Sequence, residues 1–219
     1  MSWLSLLIAL TSLLWLLGCV SQSHSEAKPS LAAAAYPAPS NIELEKGAKA
    51  EMLAANCFGC HGLRGRSQAA GIPSLAGLSE TYFVNVMQAY QYGGRYSSVM
   101  GRIALAYDDA EITRMARYFA AQTPSVPKQR VAWGLVGQGR QLHRRFCQDC
   151  HGDLQQQPDP DAVLLHGQWR NYLQWTLQDY LVGINQTKPG MADALSALVR
   201  QHGAEGVAAL IQYYASGRP

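Results

Sequence analysis

CFGCHG, Cys57 to Gly62, returns as CQDCHG, Cys147 to Gly152. Two thiols separated by two residues, with an imidazole and a glycine directly behind them, occur twice in one chain, 90 positions apart. Laid over itself at that shift, the chain agrees well beyond the motif: Leu75 with Leu165, Gly77 with Gly167, Tyr82 with Tyr172, Tyr90 with Tyr180, Gly93 with Gly183. The offset grows to 91 at Met100 and Met191 and to 95 at Tyr118 and Tyr213, as loop insertions produce. This is an internal duplication. Each half has one plan: a helix into the motif, a loop, a helix, a second loop with a Met, and a terminal helix.

The terminal helix of the first half is the clearest single element. In YDDAEITRMARYFAAQ, Asp108 stands as N-cap with Glu111 three residues on, while Ile112, Met115 and Phe119 fall on one face. No stretch alternates with period two, so the spacing predicts an all-α protein.

The 219 residues suffice for one large domain or two of about 100 residues each, and the duplication favours two. The net charge of +3, with Lys and Arg scattered rather than blocked, gives no reason to expect a nucleic-acid partner. At the N-terminus, WLSLLIALTSLLWLL, Trp3 to Leu17, is an apolar run of export-signal length. It lacks a basic flank, which leaves an uncleaved anchor as the alternative. The run ends in LLGC, and Cys19 there resembles a lipoprotein processing site: this thiol either carries a lipid or leaves with the signal. Five cysteines are an odd number; four belong to the repeated motif and Cys19 is the fifth, so none is left for a structural disulfide. The organisation expected is a signal over 1–19, a Ser/Ala/Pro-rich linker over 20–40, a first domain over 41–122, a Pro-containing linker over 123–134 and a second domain over 135–219.

C-x-x-C-H is the attachment signature for c-type haem: the thiols add across the porphyrin vinyl groups and the adjacent His becomes an iron ligand. Two copies imply two covalently bound haem c groups, on Cys57, Cys60 and His61 and on Cys147, Cys150 and His151. A zinc site would want four ligands in each half, and a redox dithiol wants a βαβ context that the pattern lacks. For the sixth ligand, the second half offers one methionine, Met191 in KPGMADAL, 40 residues after His151; in the first half Met100 in SSVMGRI follows His61 by 39. Met52, Met87 and Met115 compete with Met100, but each sits on a predicted helix at core spacing. His143, His166 and His202 are rivals to Met191; they have no first-half counterpart and read as surface or propionate-side residues. His/Met ligation leaves iron without a vacancy for substrate. Tyr82, Tyr90, Trp169, Tyr172, Trp175 and Tyr180 are expected to wall the pockets.

CFGCHG, IPSLAG, VMGRIA and MARYFAAQ resemble the dihaem class I cytochromes c. More narrowly, YFVNVMQAY, VMGRIALAY, LHGQWRNYLQWTLQDY and LIQYYAS are similar to the cytochrome subunit of flavocytochrome c sulfide dehydrogenase, from about Asn41 to Ser216. The resemblance implies two tandem class I cytochrome c domains related by a pseudo-two-fold axis. It also implies a flavoprotein partner whose FAD oxidises sulfide, a soluble acceptor such as a small cytochrome, and a periplasmic location with membrane contact only through a lipid on Cys19. Cys57, Cys60, His61 and Met100 would hold one haem, and Cys147, Cys150, His151 and Met191 the other. This chain has no strand, G-x-G-x-x-G and helix to bind FAD itself, so catalysis would belong to the partner. One departure concerns the proximal imidazoles. Pro73, 12 residues after His61, matches a family position whose carbonyl orients the ring, whereas Val163 stands there after His151, so the second ring's hydrogen bond is expected from elsewhere. The competing functions are a freestanding dihaem shuttle to a terminal oxidase and a dihaem enzyme such as a peroxidase or thiosulfate dehydrogenase.

Overall fold

In the computed structural model of the chain, residues 49–153, 159, 161–163, 165–186 and 188–218 are described. The export signal, Cys19, the first linker and the start of the first domain lie outside them. Among the described residues every regular element is helical. The first half contributes α1 (Ala50–His61), a single 3₁₀ turn (Leu63–Gly65), α2 (Glu80–Gln91), α3 (Met100–Ala104) and α4 (Asp109–Ala120). The second contributes α5 (Trp133–Phe146), α6 (Gln148–His151), α7 (Arg170–Leu181) and α8 (Pro189–Ser216).

Local chemistry fixes several of these boundaries. Ser79 caps α2 by accepting the Tyr82 N–H at 3.1 Å. At α4 the expected capping box is present: Asp108 Oδ1 accepts the Glu111 N–H at 2.7 Å, and Glu111 Oε2 accepts the Asp108 N–H at 3.1 Å. Such a cap contributes about 1 kcal/mol. Pro189 opens α8 at a position where its missing N–H costs nothing. Gly203 breaks that helix with φ 58° and ψ −159°, so α8 does in one kinked element what α3 and α4 do in two.

Each half buries its own core. In the first, α1 and α2 pack on α4, enclosing Leu53, Phe83, Met87, Ile112, Met115 and Phe119, with Phe83 stacked on Phe119 at 5.5 Å between centroids. In the second, α5 and α7 pack on α8 around Leu142, Leu173, Leu198, Leu210, Tyr213 and Tyr214. The crossing of α5 and α8 is close because of Gly139: a Cβ there would overlap the Ala209 carbonyl and the Tyr213 side chain.

Lys46–Pro219 is one compact unit, and polar groups bind its halves together. Gln168 Oε1 accepts the Ser74 N–H and its Nε2 donates to the Ser74 carbonyl, both at 2.9 Å and both buried. Trp169 Nε1 donates to the Ser67 carbonyl at 3.2 Å, and Asn185 Oδ1 accepts the Tyr96 N–H at 2.8 Å. The segment between α4 and α5 is held too. Gln129 donates to the carbonyls of Gln168 and Ala215 and accepts the Arg170 N–H.

Candidate functional site

The last two turns of α1 carry Cys57, Cys60 and His61. The chain then reverses through Gly62 and the 3₁₀ turn, where the Gly65 carbonyl accepts from Leu75 and Ala76 and brings the next loop back alongside. That return places the Pro73 carbonyl 2.8 Å from His61 Nδ1. A carbonyl only accepts, so Nδ1 carries the proton and the free lone pair sits on Nε2. Four residues further, Gly77 at φ 78° donates its N–H to the Phe119 carbonyl at 2.8 Å, closing the loop onto the end of α4. A positive φ there is cheap only for glycine.

The second half repeats this construction. Cys147 lies between α5 and α6, and Cys150 and His151 end α6. His151 Nδ1 donates to the Val163 carbonyl at 3.0 Å, and Gly167 at φ 79° donates to the Tyr214 carbonyl at 2.9 Å. The expectation that the second ring finds its hydrogen bond elsewhere is therefore overturned. The acceptor is a backbone carbonyl, which valine supplies as well as proline does.

Two cavities meet these motifs. One of about 70 Å³ is lined by Cys57, His61, Tyr82, Met87, Tyr90 and Met100, among others. The other, of about 540 Å³, has Cys147, Cys150, His151, Tyr172, Tyr180 and Met191 in its wall and extends to Pro73, Tyr82 and Arg95 of the first half. Tyr82 lines both. Every predicted motif residue and methionine but Cys60 thus borders the cavity of its own half. Four of the six expected aromatic wall residues do as well, but the two tryptophans do not. Trp169 bonds across to Ser67, and Trp175, 54% exposed, lies over Gly71.

Electrostatically, both imidazoles are kept neutral. Burial pushes the pKa of His61 and of His151 down, against the opposing pull of the Pro73 and Val163 carbonyls. Burial, then the neighbouring Cys60, pushes the Cys57 thiol up to about 11. Burial likewise raises Cys147. Neither pair forms a disulfide. A neutral imidazole with Nε2 free, beside two thiols and bordering a cavity that also receives a thioether, is the donor set a covalently attached haem requires.

Two further expectations need correction. His143 and His166 are buried, at 1% and 8% exposure, rather than surface residues. His143 is fully engaged, Nδ1 with the Tyr214 hydroxyl at 3.0 Å and Nε2 donating to the Gly152 carbonyl at 2.7 Å. His166 packs edge-on against Tyr213 at 4.8 Å between centroids, and neither of its nitrogens has a hydrogen-bond partner among the described residues. Met52 is 64% exposed rather than in the core, whereas Met87 and Met115 are core as expected. Sequence reasoning missed Arg95 altogether. It is a half-buried guanidinium in the wall of the larger cavity, and the signal was available, because the shift of 90 pairs it with Asn185.

Comparison with known proteins agrees with this geometry. The family description "Cytochrome c" matches residues 44–122. The cytochrome subunit of sulfide dehydrogenase from Chlorobaculum tepidum is 40% identical over 86 residues, 39% of this chain and 74% of that protein. The chain belongs to the cytochrome c family. With two C-x-x-C-H pairs, this cytochrome carries two covalently bound haem c groups, on Cys57 and Cys60 and on Cys147 and Cys150. Thiosulfate dehydrogenase electron acceptor from Thiomonas intermedia is 33% identical over 109 residues, covering 45% of this chain and half of that protein. Cytochrome c4 from Pseudomonas aeruginosa is 28% identical over 180 residues, 76% of this chain and 86% of that one. The fold matches reduced recombinant cytochrome c4 from Pseudomonas stutzeri with a TM-score of 0.65 over 77% of this chain and 98% of that one, at 24% identity. The all-α architecture of two tandem class I cytochrome c domains, which the resemblance implied, is thereby found. Among the described residues no helix is long and apolar enough to cross a membrane.

Proposed function

We propose that this chain is the electron-relay subunit of a periplasmic complex, taking electrons from an FAD flavoprotein that oxidises sulfide and handing them to a soluble acceptor such as a small cytochrome. The observation that carries the relay reading is the pair of cavities sharing Tyr82 as a wall, each bordered by one C-x-x-C-H imidazole and a methionine at the matching place in its half. When bound, haem in such a site supplies one-electron chemistry at an iron closed to substrate.

In this reading His61 and Met100 ligate one iron and His151 and Met191 the other. Met87 also borders the first cavity, but the shift of 90 pairs it with Leu177, which borders the second. A position filled by leucine in one copy is a wall position. Met100 and Met191 instead stand alike at the start of a helix, Met100 opening α3 and Met191 in the first turn of α8. The Pro73 and Val163 carbonyls hold each ring in the ligating tautomer, and the tyrosine walls exclude water. The domain limits 41–122 and 135–219, placed at the Pro-containing breaks in composition, and removal or lipidation at Cys19 are part of the same proposal.

The flavoprotein partner is supported by likeness to the sulfide dehydrogenase subunit. A second reading, a free shuttle or an acceptor for a thiosulfate-oxidising enzyme, is favoured by the likeness to the Thiomonas protein and by the cytochrome c4 alignment, which spans both halves. Native purification decides. A stoichiometric FAD protein with haem reduction on adding sulfide supports the first reading; an unaccompanied chain reduced only alongside thiosulfate and its dehydrogenase overturns it.

A further inference from the structure

Arg95 sits in the loop between α2 and α3, with its backbone N–H donated to the Ala89 carbonyl at 3.0 Å. Its guanidinium faces four phenols. Nη1 lies 3.5 Å from the Tyr82 hydroxyl and Nη2 lies 3.4 Å from that of Tyr172, while the group sits 5.5 Å from the Tyr90 ring centre and within electrostatic range of Tyr180. Burial opposes the charge on Arg95. Burial in turn raises Tyr82, Tyr90 and Tyr180, so they stay protonated and neutral at physiological pH.

The cluster is therefore a half-buried cation with no anion. Among the described residues the ion pairs involve other groups, and no carboxylate comes within 4 Å of Arg95. Two long contacts use little of a guanidinium's five N–H donors. A charge drawn this far out of water is stabilised by an anionic partner, and the cavity is where one would enter. The porphyrin of haem c offers one. Thioethers to the two cysteines engage the vinyl-bearing pyrroles, and the remaining two pyrroles carry carboxylates, the groups that a guanidinium fork matches best.

The supply of cations is short. The larger cavity has Arg95 and Lys188 in its wall, and Lys188 already pairs with Asp159 at 3.5 Å and Asp161 at 3.1 Å. No lysine or arginine is among the described residues lining the smaller one. Tyr82, against which Arg95 rests, lines both. Duplication would have provided a second arginine, but Asn185 occupies that position and is spent on the Tyr96 N–H and Asp179. We propose that Arg95 is the shared counter-cation for the carboxylates of both haem groups, so that a residue of the first half sets both reduction potentials together. This rests on the reading that each cavity receives one of the two groups.

The test is a spectroelectrochemical titration of the purified dihaem chain, without flavoprotein or sulfide, in wild type, Arg95→Lys and Arg95→Gln. Removing the cation leaves uncompensated carboxylates that favour the ferric state, so R95Q shifts both midpoint potentials downward, and R95K restores most of both. An R95Q protein in which either potential stays at the wild-type value overturns the proposal. Should R95Q fail to mature, infrared difference spectra of wild type carrying ¹⁵N-labelled arginine settle the same question. A guanidinium band is expected at both reduction steps, and its absence from either refutes the sharing. Because no partner is present, failure of sulfide-dependent reduction would sink the functional proposal and leave this result standing.

Discussion

His166 is a buried imidazole with no hydrogen bond to a described residue, and its replacement makes a sharp test of how burial acts on charge in this chain. Burial, then the nearby His143, pushes its pKa down from 6.5 to about 4. A base whose folded-state pKa lies below its unfolded value binds fewer protons when folded, so stability is retained above pH 6.5 and falls as pH drops towards 4. With those two values, lowering the pH from 7 to 4.5 costs the folded state about 2 kcal/mol through this one ring. His166→Leu removes the titration without stranding a partner, since neither ring nitrogen bonds a described residue. The expected outcome is a variant within about 1 kcal/mol of wild type at pH 7 that gains about 2 kcal/mol on it at pH 4.5. For a unit of this size that gain raises the thermal midpoint by roughly 4–8 °C. The assay is thermal unfolding of the holoprotein, followed by circular dichroism at both pH values. A gap between variant and wild type that is the same at pH 7 and pH 4.5 would refute the reasoning.

Met191→Ala is expected to keep both covalent attachments but to leave one of the two irons high-spin and open to carbon monoxide, read from the absorption spectrum, with the other unchanged. Gly139→Ala drives a methyl into the Ala209 carbonyl where α5 crosses α8. The expected loss is about 3 kcal/mol, the upper end for overpacking because backbone yields less than a side chain, measured by denaturant titration. Gln168→Ala strands the buried Ser74 N–H and carbonyl, at a cost of about 1–3 kcal/mol for each orphaned group. Because the pair joins the halves, hydrogen exchange at Ser74 and its neighbours is expected to accelerate before exchange in either core.

Much of this was legible because duplication lets one half check the other. The shift of 90 that aligned Tyr82 with Tyr172 and Tyr90 with Tyr180 picked out four of the tyrosines that border the cavities, though not Tyr107 or Tyr214, and Gly77 with Gly167 marked the same positive-φ hydrogen bond. The helix capped at Asp108 could be read from residues within one turn of each other, where spacing alone determines contact. What escaped was long-range. Nothing in the local pattern around Trp169 or Trp175 distinguishes a cavity wall from a contact across the halves, because that depends on how the halves dock. His143, with no counterpart in the first half, reads as a surface or propionate-side residue until the hydroxyl of Tyr214, 71 residues on, is seen to bond it inside the core. Val163 looked like a lost interaction because side-chain identity was read where only the backbone carbonyl acts. Arg95 escaped because agreement between the copies was sought, and its meaning lies in the disagreement.

In each half the loop that bears the imidazole's acceptor is fastened, through Gly77 or Gly167, to the far end of that half's terminal helix. The orientation of either ring thus depends on a contact some sixty residues downstream of its cysteines. A chain interrupted before that helix would hold both sulfurs in the right place and still leave its iron ligand free to swivel.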